Sequence, residues 1–148
     1  MTLDVQAVRR RLEELDAVLT ELGKYRGVSP DELRSNLSLR WTVERGLLAA
    51  ANLIFDIASH ILASHFGRYP DSYEGLIAEL GEVGVISSEL REELKGLGGF
   101  RNVLVHEYVR IDPEEVHKAL IKGLRVFPRF GAEIIRWMEL ASGGDAQR

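Results

Sequence analysis

LSLRWTVERGLLAAANLIFDIASHILASHF, running from Leu37 to Phe66, contains no proline and one glycine, Gly46. Its apolar residues Leu39, Val43, Leu47, Ala50, Ile54, Ile57 and Ile61 recur at intervals of three and four, which places them on one stripe of an α-helix. The stretch predicts a helix of roughly 30 residues, well above the ordinary length. A helix of that length needs several neighbours to cover it, so the rest of the chain must supply packing partners.

The flanking sequence supplies them. Val8, Leu12, Leu15, Leu19 and Leu22 form a second helical stripe that Gly23 and Gly27 stop. Ser29-Pro30-Asp31-Glu32 is a capping box with proline at the first helical position, and it opens a further helix or single turn. Gly67 to Pro70 breaks the long helix, Asp71-Ser72-Tyr73-Glu74 starts a short one through about Leu80, and Ser87 or Ser88 can cap the next. That helix is expected to carry Leu90, Leu94, Leu97 and Leu104, with Gly98-Gly99 weakening its middle or letting backbones approach closely. Asp112-Pro113-Glu114-Glu115 opens a last helix through Trp137 and Met138, with Pro128 as an interior kink. No alternating run makes a strand, so the expected fold is all-α, an up-and-down bundle of about five helices with two long members. No linker divides the chain, which reads as one domain over residues 1–141 with a disordered tail at 142–148.

Composition narrows the chemistry. The 148 residues include no cysteine, which removes disulfides, thiolate zinc sites and cysteine nucleophiles and fits a reducing compartment, the cytoplasm by default. No stretch of about 18 uncharged apolar residues is found, so a soluble protein with no membrane partner is expected. The net charge of −4 argues against indiscriminate nucleic-acid binding. Residues 1–100 carry 11 Lys and Arg against 16 Asp and Glu, whereas residues 101–148 carry 8 against 7. That leaves room for a basic groove around Arg101, Arg110, Lys118, Lys122 and Arg125, although such mixtures are commonly solvated helix faces.

The segment from Gly98 to Glu114 carries the chemistry, because Arg101, His106 and Tyr108 interrupt an otherwise apolar stretch. Arginine or histidine in apolar surroundings is costly unless paired, so the groups are either satisfied internally or line a cleft. On a helix, Arg101 and Tyr108 project within about 20° of each other and His106 lies about 140° from Arg101. Asn102 and His106, four apart, share a face on which the amide can orient the imidazole. A metal-free cleft that transfers protons needs a base, an acid and cationic donors where negative charge develops. One histidine per chain is too few, and two copies meeting across a twofold axis would supply two.

Arg101, four residues, His106, one residue, Tyr108 resembles the motif of the HEPN superfamily, and most closely its HepT-like toxin branch. The resemblance extends over Arg40-Trp41-Thr42-Val43-Glu44-Arg45 and Asp56-Ile57-Ala58-Ser59-His60-Ile61 in the long helix and over Ile111-Asp112 after the motif. It implies a homodimeric helical bundle with a ribonuclease site in the interfacial cleft, acting on RNA. It also implies a minimal nucleotidyltransferase antitoxin that silences the toxin by AMP transfer to the motif tyrosine. Carried over, Arg101 and His106 become the catalytic pair, Asn102 a supporting residue and Tyr108 the AMP acceptor; Asp56 joins as a supporting candidate from its spacing to His60, and no cofactor and no metal are expected.

Each assignment has a plainer rival. From the residues alone, a buried polar pair fixing helix register is the simpler account of Arg101 and His106, and Tyr108 reads equally as a core tyrosine with its hydroxyl at the surface. Asp56 and His60, four apart, can pair toward the cleft or merely on the helix surface. His60 and His65 lie on different faces, His117 reads as exposed, and Trp41 and Trp137 read as core or dimer-contact aromatics. The alternative function is a HEPN module that binds a nucleotide or its partner without cleaving, and a ligand-free structural dimer stands third.

Overall fold

The computed structural model describes residues 3–106 and 111–146. Among these, seven helices follow one another: α1 (Val5–Gly23), α2 (Pro30–Ser35), α3 (Leu37–Phe66), α4 (Tyr73–Glu82), α5 (Ser88–Glu93), α6 (Leu97–His106) and α7 (Pro113–Ala146). Two of them, α2 and α5, are six residues long. The others are longer, and α3 and α7 are the two long members expected of the bundle.

The start signals act as the local chemistry dictates. Asp4, Ser29, Asn36, Ser72 and Ser87 each accept a backbone N–H of the first turn that follows, satisfying donors that a helix start leaves unpaired. At α2 the box is reciprocal, with the Glu32 carboxylate accepting the Ser29 N–H at 3.2 Å. Gly67, at φ 64°, closes α3 in the left-handed conformation.

One boundary differs from expectation. The helix expected to run from Ser87 or Ser88 through the motif is two helices, and the break lies at Gly96 (φ 89°) rather than at Gly98-Gly99. Gly98 and Gly99 sit inside the first turn of α6. Gly96 turns the chain, and Gly98 serves the close approach of α6 to α4: a Cβ there would stand 2.8 Å from Tyr73 Cβ and 3.3 Å from the Glu74 backbone nitrogen. At the other end, α7 continues through Ala146, past residue 141 where the expected domain ends and into the expected tail.

The axis of the fold is α3, which packs against α1, α2, α4, α6 and α7. Its Val43, Ala50, Ile54, Ile57, Ala58, Ile61 and Leu62 are completely buried, each large aliphatic contributing about 1.5–3 kcal/mol. They meet Leu76, Ile77 and Leu80 of α4, Val8 and Leu15 of α1, and Val116, Leu120, Phe130 and Ile134 of α7 in one core. By length and composition alone α3 could cross a bilayer, but Asp56 interrupts its apolar run and half of its most apolar window is buried here by other helices. Trp41 is not core, being 58% exposed on α3. Trp137 packs edge-on against His65, ring centroids 5.0 Å apart.

Glu44 is a charged residue buried on α3, with its carboxylate oxygen 3.2 Å from Nε of Arg40. The two atoms are close but misaligned for a hydrogen bond, so burial outweighs attraction to Arg40 and raises the Glu44 carboxyl above its ordinary range. A carboxyl raised in the folded state stabilises the fold in acid, and that contribution is lost as pH rises through the folded value. Glu44→Gln should therefore gain thermal stability relative to wild type on going from about pH 5 to about pH 8. A constant offset between the two melting curves would remove Glu44 from the account.

Candidate functional site

The Arg101 side chain is held in place by three neutral groups from three helices. Its Nε donates to Asn52 Oδ1 of α3 at 3.1 Å, and one Nη donates to Asn102 Oδ1 beside it on α6 at 3.3 Å. The guanidinium carbon stands 4.7 Å from the centre of the Tyr73 ring, at the start of α4, and that ring is backed by Phe55 of α3 at 4.6 Å. Two amide oxygens and an aromatic face orient a guanidinium without cancelling its charge. Among the described residues, no carboxylate lies within ion-pair distance of Arg101, whereas Arg34, Arg40, Arg68, Arg125 and Arg129 all have one. The planar fork is fixed, half-buried, and left with donors for an incoming anion.

The helix that carries Arg101 is anchored from outside. The α6 start has no side-chain cap of its own; the Glu74 carboxylate of α4 accepts the backbone N–H of Gly96 at 3.1 Å and of Gly98 at 3.0 Å through one oxygen. A carboxylate at a helix N-terminus is favoured by charge as well as by hydrogen bonding. Tyr73 and Glu74, adjacent in sequence, thus fix the motif arginine and the helix bearing it.

His106 is the last residue of α6 and is exposed. Gly99, Asn102 and His106 form the exposed stripe of α6, while Leu104 faces the core. The Asn102 oxygen accepts from Arg101, which leaves its NH2 as the end that can face His106 on the same stripe. Asp56 lies one turn beyond Asn52 on α3 and is exposed, with no hydrogen bond or ion pair to Arg101 among the described residues. It does not pair with His60 either, whose Nε2 instead accepts the Asp4 N–H at the start of α1, 3.3 Å away. Tyr108 lies outside the described residues. Among those described, no group of three or more His, Asp or Glu side chains converges as metal ligands would.

Sequence reasoning missed Asn52, Tyr73 and Glu74. Asn52 left a signal, a lone amide within Ala49-Ala50-Ala51-Asn52-Leu53-Ile54 that needs a partner once the helix is buried. Tyr73 and Glu74 left none, since only the folding of α4 onto α6 gives them their roles.

Comparisons with known proteins agree with this architecture. Residues 8–134 match the family model described as ribonuclease HepT-like. A protein of Aphanizomenon flos-aquae named tRNA nuclease HepT is 32% identical over 128 residues, covering 86% of each chain. The fold is similar to that of a cytosolic protein, YutE from Bacillus subtilis, with TM-score 0.80, 20% identity and 95% of each chain covered. It is similar also to a tri-AMPylated HEPN toxin of Shewanella oneidensis solved with its MNT antitoxin, with TM-score 0.77, 20% identity, and 87% of this chain and 96% of that chain covered. By its sequence and by its helical architecture, the chain belongs to the ribonuclease HepT-like family.

Proposed function

We propose that this protein is a toxin endoribonuclease that cuts RNA without a metal ion, at a site completed by a second copy of the chain. The observation that carries the reading is Arg101, a fixed guanidinium held by Asn52, Asn102 and Tyr73 and left without a carboxylate among the described residues. An arginine serving only to fix helix register would be expected to have its charge satisfied; this one is presented for a phosphate.

In the reaction, the ribose 2′-oxygen attacks phosphorus, its proton passes to a base, and the 5′-oxygen leaves with a proton from an acid. Arg101 stabilises the dianionic phosphorane through its free N–H groups. His106 supplies one proton-transfer group, and the His106 of a second chain supplies the other. His60 and His65 are engaged elsewhere, the first through Nε2 at the start of α1 and the second edge-on against Trp137. Exposed Leu37 and Trp41 on α3 give a second copy an apolar surface to cover.

The relative named as a tRNA nuclease supports the activity, and the AMP-bearing toxin solved with an MNT antitoxin supports its control. In that control the Tyr108 oxygen attacks the α-phosphorus of ATP bound by the antitoxin and releases pyrophosphate. The added phosphodiester charge and adenosine then oppose RNA by repulsion and by bulk. The alternative, a HEPN module that binds without cleaving, uses the same Arg101 as an anion clamp.

One experiment tests the reading. The purified protein is incubated with labelled tRNA and mRNA in EDTA, before and after treatment with an MNT partner and ATP, and its intact mass is recorded. Cleavage in EDTA that ceases with the gain of AMP, and a Tyr108→Phe variant that gains none at that site, are expected. Binding without cleavage moves the reading to the alternative, and cleavage that appears only on adding Mg²⁺ overturns the mechanism.

A further inference from the structure

Beside the Arg101 cradle lies a groove of about 660 Å³ between the start of α4 and the first turn of α6. Gly98 and Gly99 line it from α6, Pro70, Tyr73 and Leu76 give it apolar surface, and Asp71, Ser72, Glu74 and Asn102 give it polar groups. It shares Tyr73 and Asn102 with the arginine. It is also continuous with the exposed Gly99, Asn102 and His106 stripe of α6. His106 and Gly99 are seven residues apart, about 10 Å along a helix, a distance that one or two nucleotides span. An RNA strand with its scissile phosphate between Arg101 and His106 would therefore bring a neighbouring base over the glycines.

We infer that this groove is a nucleobase subsite and that the base it selects is guanine; the inference rests on the ribonuclease reading above. The two carboxylates in its lining oppose a phosphate, whereas a base brings a flat apolar face for Pro70 and for the part of Tyr73 that Arg101 and Phe55 leave uncovered. Asp71 decides which base. Its carboxylate is exposed and makes no hydrogen bond or ion pair among the described residues, and one Glu74 oxygen is already committed to Gly96 and Gly98. A carboxylate accepts only, and it can receive two parallel N–H bonds. Guanine presents N1–H and N2–H side by side. Adenine and cytosine set an acceptor beside their amino group, which the carboxylate repels, and uracil offers a single N–H. The absence of a side chain at Gly99 leaves space beside the groove: a Cβ there meets nothing within 4 Å.

Nitrogen-15-labelled protein titrated with each of the four nucleoside 5′-monophosphates tests binding independently of cleavage. Guanosine monophosphate should shift the Gly98, Gly99 and Asn102 amides, and the other three should not. Gly99→Phe, which fills the groove, and Asp71→Asn, which turns half of the acceptor into a donor, should each abolish the discrimination. The second variant covers a failure of the first to fold. In the cleavage arm, oligonucleotides with one guanosine moved along the chain should be cut about tenfold faster when it lies within two positions of the scissile bond, the scale of a bidentate base contact. Guanosine-specific shifts in a protein that cuts nothing would retain the subsite and remove the ribonuclease reading. Cleavage with no base preference, and shifts that are absent, equal for all four nucleotides or unaltered in both variants, would overturn the subsite alone.

Discussion

Arg101→Ala and His106→Ala should each lower single-turnover RNA cleavage at least about 100-fold, the scale of losing an acid, a base or a phosphorane donor, with helicity by circular dichroism unchanged. The fold should survive because neither side chain is part of the core: His106 is exposed at the end of α6, and the partners of Arg101 are neutral groups that water can satisfy when it is gone. Arg101→Lys separates charge from geometry. An ammonium keeps the positive charge but lacks the planar fork that reaches Asn52 and Asn102 together and stacks on Tyr73, so its loss should approach that of the alanine variant. If the lysine variant retains most activity, orientation is unimportant and the cradle is only a consequence of packing. If Arg101→Ala unfolds the protein while His106→Ala cleaves normally, the polar pair is structural.

The second large effect falls on two adjacent glycines. Gly98→Ala should destabilise the protein by about 1–3 kcal/mol, the usual cost of forcing volume into a packed contact. The obstacles, Tyr73 Cβ at 2.8 Å and the Glu74 backbone nitrogen at 3.3 Å, are not the mobile ends of side chains. To relieve the clash α6 must move from α4, which draws the Gly96 and Gly98 N–H groups away from Glu74 and Arg101 away from Tyr73. Gly99→Ala adds the same methyl group one residue later in open space, and should raise stability by up to about 1 kcal/mol through helix propensity. Thermal melts of both variants check this, and equal shifts would mean that the contact between α4 and α6 is not constrained as described.

The helical bundle was legible in the sequence because its evidence is local. Periodicity placed α1 and α3, Asp112-Pro113-Glu114-Glu115 announced α7, and Ser29, Ser72 and Ser87 announced the starts they cap. The α5–α6 break was misplaced because three glycines lie within four residues, and the pattern does not say which one turns the chain and which admits a neighbouring backbone. At the site, the motif spacing singled out Arg101 and His106, but their surroundings depend on contacts across 49 positions, from Asn52 to Arg101, and 24, from Glu74 to Gly98. The role of the Asn102 oxygen was hidden for a related reason, since sharing a helix face with His106 gives no sign that the charged donor beside it takes that oxygen.

The neutrality of the Arg101 cradle also has a genetic consequence. Asparagine and aspartate codons differ by one base, and the two side chains have nearly the same shape, so a point mutation turning Asn52 into aspartate would leave α3 and its packing almost untouched. The guanidinium would then hold a carboxylate of its own, and every phosphate would have to compete with it. A lineage carrying this gene can thus disarm the protein without losing its fold, its abundance or its partner. In such a family, harmless copies would be recognised by the residue opposite the arginine, even where the motif itself is intact.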